Sequence, residues 1–279
     1  MAFVTTLAGV EMPPIIYGTA WKKEATSALV TQALRSGFRA VDTACQPRHY
    51  REELVGEGIR AAVDSGAVRR EELFIQTKYT PADGQDPATI PYDPALSLAE
   101  QVRQSCRVSR ENLRIDRIDS LLLHSPLFPY GKMMEVWRAM EELVDEGHVR
   151  QIGISNLYDL SWHQKLFQDA TIKPAVIQNR FYAESGYDKA IRMWALAEGI
   201  VYQSFWSLTA NPHLLGSEML LNLARHYGKT PAQIFFAYLN ARGIVPLIGT
   251  TSQEHMKDDL EAGGMRLLPE EAAAIDALL

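Results

Sequence analysis

Residues 120–156, SLLLHSPLFPYGKMMEVWRAMEELVDEGHVRQIGISN, contain one complete strand–helix–strand unit. The apolar run at residues 120–124 predicts a buried strand, and the apolar spacing of residues 133–146 predicts an amphipathic helix that ends before Gly147. A second buried strand is predicted at residues 150–155. Two buried strands joined through a helix lie parallel in one sheet, so this stretch predicts a parallel α/β fold.

The same alternation of strand and helix extends in both directions from this unit. Further strands are predicted at residues 15–18, 39–42, 74–78, 175–179, 201–205 and 244–248. Further helices are predicted at residues 24–36, 52–65, 95–109, 188–198 and 231–242, and glycine follows four of the helices at Gly37, Gly147, Gly199 and Gly243. Eight such strands predict closure into a (β/α)8 TIM barrel, with residues 1–279 as a single domain. An open, doubly wound sheet is the competing architecture, which is disfavoured because no G-x-G-x-x-G follows the first strand.

A short β-hairpin is predicted before the first barrel strand. Residues 4–12 contain Ala8-Gly9 between two extended runs, which is typical of a tight turn between paired strands. We expect this hairpin to close the bottom of the barrel. The Pro-, Gly- and Asp-rich residues 81–94 predict a long loop from a strand to a helix, and loops of that length often carry function.

The bulk properties limit the classes of partner and compartment. The formal net charge is −6, so no strongly positive field is available to attract nucleic acid or an anionic membrane. Cys45 and Cys106 lie outside any C-x-x-C spacing and predict neither a disulfide framework nor a metal site. No basic and apolar signal segment is visible, and no run approaches the roughly 18 apolar residues of a membrane helix. We expect a cytoplasmic protein that is a monomer or a weak homodimer and acts on a small molecule.

Polar and ionisable residues stand where the predicted strands end. The carboxyl ends of the strands of a parallel barrel meet at one rim, which is where its active site lies. Each residue alone also has a structural interpretation: Asp42 as a helix N-cap, Lys78 as a solvated loop residue and His124 as a packed rim histidine. Their common position at one rim favours a functional site. The strand-end residues are Asp42, Lys78, His124, Ser155, Asn156, Gln178, Asn179 and Phe205.

Four stretches resemble the aldo-keto reductase family: residues 37–44 (GFRAVDTA), 76–78 (QTK), 117–124 (RIDSLLLH) and 139–156 (AMEELVDEGHVRQIGISN). The last stretch is the most specific, and the similarity extends over nearly the whole chain. The resemblance implies an NAD(P)H-dependent enzyme that reduces an aldehyde or ketone to an alcohol, or catalyses the reverse reaction. It also implies four catalytic residues, which are Asp42, Tyr50, Lys78 and His124.

The chemistry of carbonyl reduction gives each of these four residues a task. The reaction needs a hydride, which nicotinamide donates from C4, and a proton, for which the resemblance makes Tyr50 the donor. A free tyrosine has a pKa of about 10, and we expect the Lys78 ammonium to lower it while Asp42 holds the lysine in an ion pair. Neutral His124 is expected to orient the substrate oxygen toward C4 of nicotinamide.

Tyr50 departs from the family in its spacing. It lies eight residues after Asp42, a longer interval than in most relatives, and Pro47 lies within the added loop. We expect the loop to bulge and to return Tyr50 to the active site. The alternative is that Tyr50 only packs at the head of the following helix, and that His49 or no residue takes its place.

The resemblance also implies cofactor and substrate contacts. Ser155, Asn156 and Gln178 match residues that bind the nicotinamide carboxamide in the family, and Phe205 stands where relatives stack a tyrosine on the nicotinamide ring. The other implied cofactor contacts are Gly18, Thr19, Asp42, Ser207, Leu208, Gly249, Thr250, Thr251, His255, Asp258 and Asp259. The expected substrate pocket consists of Trp21, His49, Tyr79 and Trp206.

The expected 2′-phosphate site differs from the family pattern. Gly249 and His255 stand where relatives that prefer NADPH have a lysine and an arginine, whose charges bind phosphate. Residues 249–252 lead into a helix predicted to start near Gln253, and backbone N–H groups at such a position can bind an anion. NADP(H) stays the favoured cofactor, and NAD(H) is the alternative.

Two other functions fit parts of the pattern. The first is a cofactor-binding sensor or accessory subunit on the same fold, resembling the potassium-channel β-subunits, with little turnover. The second is a barrel hydrolase or isomerase that uses Asp42 and His124 without nicotinamide. The sequence contains no G-x-S-x-G, H-E-x-x-H or metal triad that would support the second function.

Overall fold

The computed structural model describes residues 3–279 and has a closed barrel of eight parallel strands at its centre. A two-stranded antiparallel hairpin, β1 (Val4–Thr5) and β2 (Glu11–Met12), precedes the barrel. The barrel strands are β3 (Ile16–Gly18), β4 (Ala40–Asp42), β5 (Phe74–Tyr79), β6 (Ser120–Leu123), β7 (Ile152–Ser155), β8 (Val176–Arg180), β9 (Val201–Phe205) and β10 (Ile244–Ile248). Each barrel strand pairs with its neighbours in chain order, and β10 pairs with β3 to close the ring. The predicted TIM barrel is confirmed.

Helices connect the strands and surround the barrel. They are α1 (Thr26–Ser36), α2 (Glu52–Asp64), α3 (Leu98–Leu113), α4 (Tyr130–Asp145), α5 (Leu160–Asp169), α6 (Lys189–Ala197), α7 (Pro212–Leu215), α8 (Glu218–Tyr227), α9 (Pro231–Ala241), α10 (Gln253–Ala262) and α11 (Pro269–Asp276). The glycines predicted to follow helices all have positive φ, a conformation that glycine adopts without steric cost. They are Gly37, Gly147, Gly199 and Gly243.

The hairpin closes the amino-terminal end of the barrel, as predicted. Thr6 Oγ1 donates a hydrogen bond to Gln151 Oε1 at 2.5 Å, which ties the hairpin to the residue before β7. Val10 and Met12 belong to a buried apolar cluster whose other members lie near the first positions of the barrel strands. These members are Ile16, Ala40, Phe74, Val201 and Val245.

Three buried glutamines form a polar layer inside the barrel. Gln203 Oε1 accepts hydrogen bonds from Gln76 Nε2 at 2.7 Å and from Gln178 Nε2 at 2.8 Å. Because β5 and β9 are not neighbours in the ring, the bond between Gln76 and Gln203 must cross the barrel interior. Both donor amides also reach Asp42 Oδ1, at 2.8 Å from Gln76 and 3.1 Å from Gln178. The layer therefore fixes the orientation of the Asp42 carboxylate at the carboxyl end of β4.

No helix within residues 3–279 combines the length and the apolar character needed to span a bilayer. Among the same residues, no group of three or more His, Cys, Asp or Glu side chains is arranged to hold a metal ion. Cys45 and Cys106 are buried free thiols.

Candidate active site

A cleft of about 840 Å³ lies at the carboxyl ends of the barrel strands, and its volume is within the range of small-molecule sites. Most of the residues predicted to form the site line this cleft. They are Gly18, Trp21, Asp42, His49, Tyr50, His124, Ser155, Asn156, Gln178, Phe205, Trp206, Ser207, Leu208, Gly249, Thr250, Thr251, His255 and Asp259. Lys78 is buried behind this lining and contacts it through Asp42.

Asp42 and Lys78 form a buried ion pair at the base of the cleft. Lys78 Nζ lies 2.6 Å from Asp42 Oδ2, and the side chains of Lys78 and Asp42 are only 1% and 3% exposed. Lys78 Nζ also donates to the backbone carbonyl of Thr43 at 2.8 Å. Burial lowers the pKa of Lys78, and the negative charge of Asp42 opposes that change. Because both charges lie away from water, each depends on the other, and removing one leaves an unpaired buried charge.

A tight turn returns Tyr50 to the cleft despite its long interval after Asp42. The backbone carbonyl of Gln46 accepts hydrogen bonds from His49 N at 3.1 Å and from Tyr50 N at 3.0 Å. The Gln46 side chain holds this turn, since its Nε2 donates to the Gly84 carbonyl at 2.6 Å and its Oε1 is bonded to His49 Nδ1 at 2.9 Å. The added residues are absorbed in this turn, and Tyr50 lines the cleft just before α2.

Tyr50 lies beside Lys78 and His124. Lys78 Nζ is 5.4 Å from the centre of the Tyr50 ring, and the rings of Tyr50 and His124 meet edge to face with centres 6.0 Å apart. Burial, followed by the negative charge of Asp42, raises the pKa of Tyr50. Burial and the charge of Asp42 outweigh the effect of the Lys78 ammonium, so the pKa of Tyr50 is raised overall and not lowered as expected. Tyr50 is a neutral phenol at neutral pH.

His124 is a neutral imidazole held by Thr80. Its Nδ1 lies 2.7 Å from Thr80 Oγ1, and its backbone N–H donates to the Tyr79 carbonyl at 2.8 Å. Burial, followed by the positive charge of Lys78, lowers the pKa of His124 well below its usual value. Thr80 engages Nδ1, so the other ring nitrogen, Nε2, is the one left for a ligand.

The rim next to His124 carries amide and hydroxyl groups and one aromatic ring. Asn156 Nδ2 donates to the His124 carbonyl at 2.9 Å, and Ser155 Oγ donates to the Gln178 carbonyl at 2.6 Å. Phe205 ends β9 with a partly exposed side chain. This part of the cleft can hydrogen-bond a planar carboxamide and stack against a flat ring.

The loop after β10 and Lys22 form the other end of the cleft. Lys22 Nζ donates a hydrogen bond to the Gly249 carbonyl, although the two residues are 227 positions apart in the chain. Ser252 caps α10, since its Oγ accepts from His255 N at 3.3 Å, and its own N–H donates to Thr250 Oγ1 at 3.1 Å. Lys22 therefore lies beside Gly249, the position at which the relatives that prefer NADPH have a lysine and this chain has glycine.

Tyr79 lies outside the cleft, so its predicted place in the substrate pocket is corrected. It is fully buried, and its hydroxyl donates to Gln101 Oε1 of α3 at 3.2 Å. Side chains alternate along a strand, and Lys78 is directed toward Asp42 in the barrel. Tyr79, the next residue, must therefore face the surrounding helices.

Thr19 and Asp258 also lie outside the lining of the cleft, so their predicted direct contacts are corrected. Thr19 is buried, and its Oγ1 donates to the Asp42 carbonyl at 2.9 Å, which makes it a support for Asp42. The Asp258 carbonyl accepts from Gln233 Nε2 of α9 at 2.8 Å. Within the first half of α10 it is the neighbouring Asp259 that lines the cleft.

Two tryptophans form exposed walls of the cleft. Trp21 and Trp206 are 59% and 47% exposed, and the Trp21 ring lies 4.0 Å from the His49 ring. Trp21, Asn156 and Trp206 have φ values of 63°, 56° and 57°, in the left-handed region that residues with a Cβ avoid. Such residues cost about 1–3 kcal/mol each and persist where the surrounding structure holds them, most often at functional sites.

The residues of the site that were not predicted from the sequence include Lys22, Thr80 and Arg180. Arg180 follows Gln178 by two positions in β8, so the alternation of strand side chains was a signal that could have found it. Thr80 follows β5 and carried no motif. The contact of Lys22 with Gly249 forms only when the barrel closes.

Asp259 makes the stability of the protein depend on pH. Burial, followed by the charge of Asp258, raises the pKa of Asp259 from 3.8 to about 7. The folded state therefore keeps a proton that the unfolded state releases, and stability present below about pH 4 is lost as the pH rises to about 7. We expect Asp259→Asn to raise the free energy of unfolding by up to about 4 kcal/mol at pH 8 and by little at pH 4.

Urea unfolding at the two pH values measures this difference. Asp116→Asn is the matched control, since Asp116 is an exposed aspartate and its replacement should change stability little at either pH. An equal gain from Asp259→Asn at pH 4 and pH 8 would show that ionisation of Asp259 is not the cause.

Comparison with known proteins agrees with this fold and cleft. Residues 14–279 match the model of the Aldo/keto reductase family. The chain is 32% identical to a glyoxal reductase of Bacillus subtilis over 273 residues, which covers 97% of this chain and 90% of that protein. It is 30% identical to a probable NAD(P)H-dependent D-xylose reductase of Arthroderma otae over 309 residues, which covers 97% of this chain and 89% of that protein.

A solved structure of similar architecture is the aldose reductase from Schistosoma japonicum. It superposes on this chain with a TM-score of 0.84 at 26% sequence identity, covering 100% of this chain and 92% of the other. The residues matched by the family model include all eight barrel strands and the whole lining of the cleft. The chain therefore belongs to the aldo/keto reductase family.

Proposed function

We propose that this protein catalyses the NAD(P)H-dependent reduction of an aldehyde or ketone to an alcohol, or the reverse reaction. The observation that carries the proposal is the convergence of Tyr50, His124 and the ion pair of Lys78 with Asp42 on one cleft. The names of the relatives, a glyoxal reductase and a D-xylose reductase, support the same reaction class.

In the proposed reaction, nicotinamide supplies a hydride from C4. Tyr50 donates a proton to the carbonyl oxygen, because its raised pKa keeps the phenol protonated. We assign the tautomer of His124 that carries its hydrogen on Nε2, where it can hydrogen-bond the same oxygen; Nδ1 then accepts from the Thr80 hydroxyl, which lies 2.7 Å away. Lys78 stabilises the phenolate that Tyr50 leaves behind, and Asp42 holds the ammonium in place.

The donor and acceptor groups of the cleft fit a nicotinamide dinucleotide at both ends. Gln178 uses its Nε2 for Asp42 and Gln203, which leaves its Oε1 to accept from the carboxamide, and Phe205 offers a ring for stacking. At the other end, the N-terminus of α10 and Lys22 provide backbone N–H groups and a positive charge for phosphate. One continuous cleft contains both groups of residues.

We propose that NADP(H) is the preferred cofactor, with Lys22 supplying the charge that Gly249 lacks. A Cβ at Gly249 would lie 3.6 Å from Lys22 Nζ, so the ammonium occupies the space next to that position. His255, in the first turn of α10, also lines the cleft. A 2′-phosphate bound there gains a charge-assisted hydrogen bond that NAD(H) cannot form.

Lys22→Ala is expected to raise the Kd for NADPH about 5- to 10-fold and to leave the Kd for NADH nearly unchanged, because a charge-assisted contact contributes about 1 kcal/mol or more. Fluorescence titration with both nucleotides measures the two constants. Lys23→Ala is the control, since Lys23 is the neighbouring lysine and does not line the cleft. An equal rise in the Kd for NADPH and for NADH would mean that Lys22 binds the pyrophosphate, which both cofactors have. Lys22 would then not favour NADP(H).

Stopped-flow measurement of NADPH oxidation with 4-nitrobenzaldehyde tests the proposed activity. Multiple turnovers are expected. Tight binding of NADPH without turnover would support a cofactor-binding sensor in place of an enzyme. If neither NADPH nor NADH changes the fluorescence of the protein, the cleft does not bind a nicotinamide cofactor and the proposed reaction is wrong.

A further inference from the structure

Arg180 is a positive charge of the cleft that the protein does not neutralise. Among residues 3–279, no carboxylate lies within ion-pair distance of its guanidinium, and its Nε is buried without a hydrogen-bond partner. The backbone N–H of Arg180 donates a hydrogen bond to the Tyr158 hydroxyl at 3.2 Å. Lys78, by contrast, is paired with Asp42. Arg180 lines the cleft, so its unpaired charge is available to an anionic group of a ligand.

Two aromatic rings hold the guanidinium in place. Its central carbon lies 4.3 Å from the centre of the Trp206 ring and 5.2 Å from the centre of the Tyr182 ring. Stacking on aromatic faces uses the flat surface of a guanidinium and leaves its N–H groups free at the edge. A guanidinium oriented in this way is prepared to bind two oxygens of one carboxylate or phosphate side by side.

The position of Arg180 along the rim places it near the reacting groups. Arg180 is in register with Phe205 across β8 and β9, and it follows Gln178 by two residues on the same face. Phe205 and Gln178 are the proposed contacts of the nicotinamide ring and its carboxamide. Lys22 and α10, the proposed phosphate contacts, lie beside β10, which is not a neighbour of β8 in the ring. An anion at Arg180 therefore belongs to the reacting end of the cleft.

We propose that Arg180 binds a carboxylate of the carbonyl substrate, so that the enzyme prefers oxo acids to neutral aldehydes and ketones. The inference rests on the proposed reductase activity. Arg180 acts on substrate selection, and the proton transfer remains with Tyr50 and His124. The cofactor pyrophosphate is the other source of anionic oxygens within the same cleft. A contact of Arg180 with the pyrophosphate would change the Kd for NADPH, whereas a contact with the substrate carboxylate would not.

The test compares 4-formylbenzoate with its methyl ester, which lacks the negative charge and is larger by one methyl group. The 3-isomers vary the distance between the carboxylate and the aldehyde. We expect Arg180→Gln to lower kcat/KM about 10- to 100-fold for a formylbenzoate, the range for losing a charge-assisted pair of hydrogen bonds, and to leave the ester within about 3-fold. Arg180→Lys, which keeps the charge without the planar fork, should fall between wild type and Arg180→Gln. The Kd for NADPH should stay the same in all variants.

Arg192→Gln is the matched control, because Arg192 also stacks on an aromatic ring, Phe181, but does not line the cleft. Calorimetric binding of formylbenzoate to the protein loaded with NADP⁺ gives a reading that does not need turnover. Equal losses for acid and ester, no loss for either, or a weaker Kd for NADPH in Arg180→Gln would each overturn the proposal. Failure of the wild type to reduce 4-nitrobenzaldehyde would count against the reductase activity itself, and the calorimetry would then decide on Arg180 alone.

Discussion

Replacing Tyr50 with phenylalanine is expected to lower kcat for carbonyl reduction by about 10²- to 10⁴-fold, the range for loss of a positioned proton donor. The substitution removes one oxygen and keeps the ring, which lies between Lys78 and His124. The ring therefore stays in place and the loss falls on proton donation. Single-turnover kinetics with NADPH measure the rate, and fluorescence titration should show an unchanged Kd for NADPH.

His49→Gln is the control for this experiment, because His49 is the residue that replaces Tyr50 in the alternative assignment. Glutamine can keep a hydrogen bond to Gln46 Oε1, which holds the turn before Tyr50. We expect a small effect from His49→Gln. Near-normal turnover in Tyr50→Phe, or an equal loss in both variants, would show that the proton comes from elsewhere.

The pH profile of kcat provides a second check on the same assignment. Burial raises the pKa of Tyr50 and lowers that of His124, so neither group changes its protonation state between about pH 6 and 9. The rate of reduction at saturating cofactor is therefore expected to be flat over this range. A steep fall as the pH rises from 6 to 9 would mean that the proton donor has a pKa near neutrality and is not Tyr50.

Replacing Lys78 with methionine is expected to lower the free energy of unfolding by about 3–5 kcal/mol at pH 8, in addition to reducing activity. Methionine fills much of the space of the lysine but leaves the Asp42 carboxylate buried without its counter-charge. Urea unfolding at pH 8 measures this loss.

A double-mutant cycle identifies the ion pair as the cause. Adding Asp42→Asn to Lys78→Met removes the unpaired charge and should recover part of the lost stability. Lys165→Met is the matched control, since Lys165 forms an exposed pair with Asp169 at 3.1 Å and should cost less than about 1 kcal/mol. If Lys78→Met and Lys165→Met destabilise the protein equally, the ion pair between Lys78 and Asp42 does not contribute more to the free energy of unfolding than an exposed pair.

The barrel could be predicted from the sequence because its elements are locally consistent. The apolar run at residues 120–124, the helical spacing after it and Gly147 each report on a few neighbouring residues, and all agree on a strand–helix unit. The ends of the elements depend on their surroundings as well as on local sequence. The helix predicted at residues 95–109 is found at Leu98–Leu113, because its true start depends on the Ser97 cap and on the loop before it.

Asp42, Lys78 and His124 could be predicted to lie together because each is at or next to the end of a strand, whereas other parts of the cleft depend on contacts between distant segments. Tyr79 was misplaced because the direction of a side chain depends on which face of β5 Lys78 takes. The closeness of Lys22 to Gly249 arises from the pairing of β3 with β10, the first and last strands of the ring. No local sequence pattern predicts a contact between two residues that are 227 positions apart in the chain. Likewise, the lack of a partner for Arg180 becomes visible only when its surroundings are known.

Trp21 and Trp206 have left-handed backbone conformations, which lower the stability of the folded protein, and their indole rings shape the mouth of the barrel. Stability and the shape of the entrance therefore favour different residues at these two positions. Glycine relieves the steric conflict at such positions, so selection for heat resistance alone would favour glycine there. Each exchange would remove an indole from the entrance and widen it. A lineage evolving toward higher temperature is thus expected to keep its barrel and to lose discrimination between ligands, unless its activity is selected at the same time.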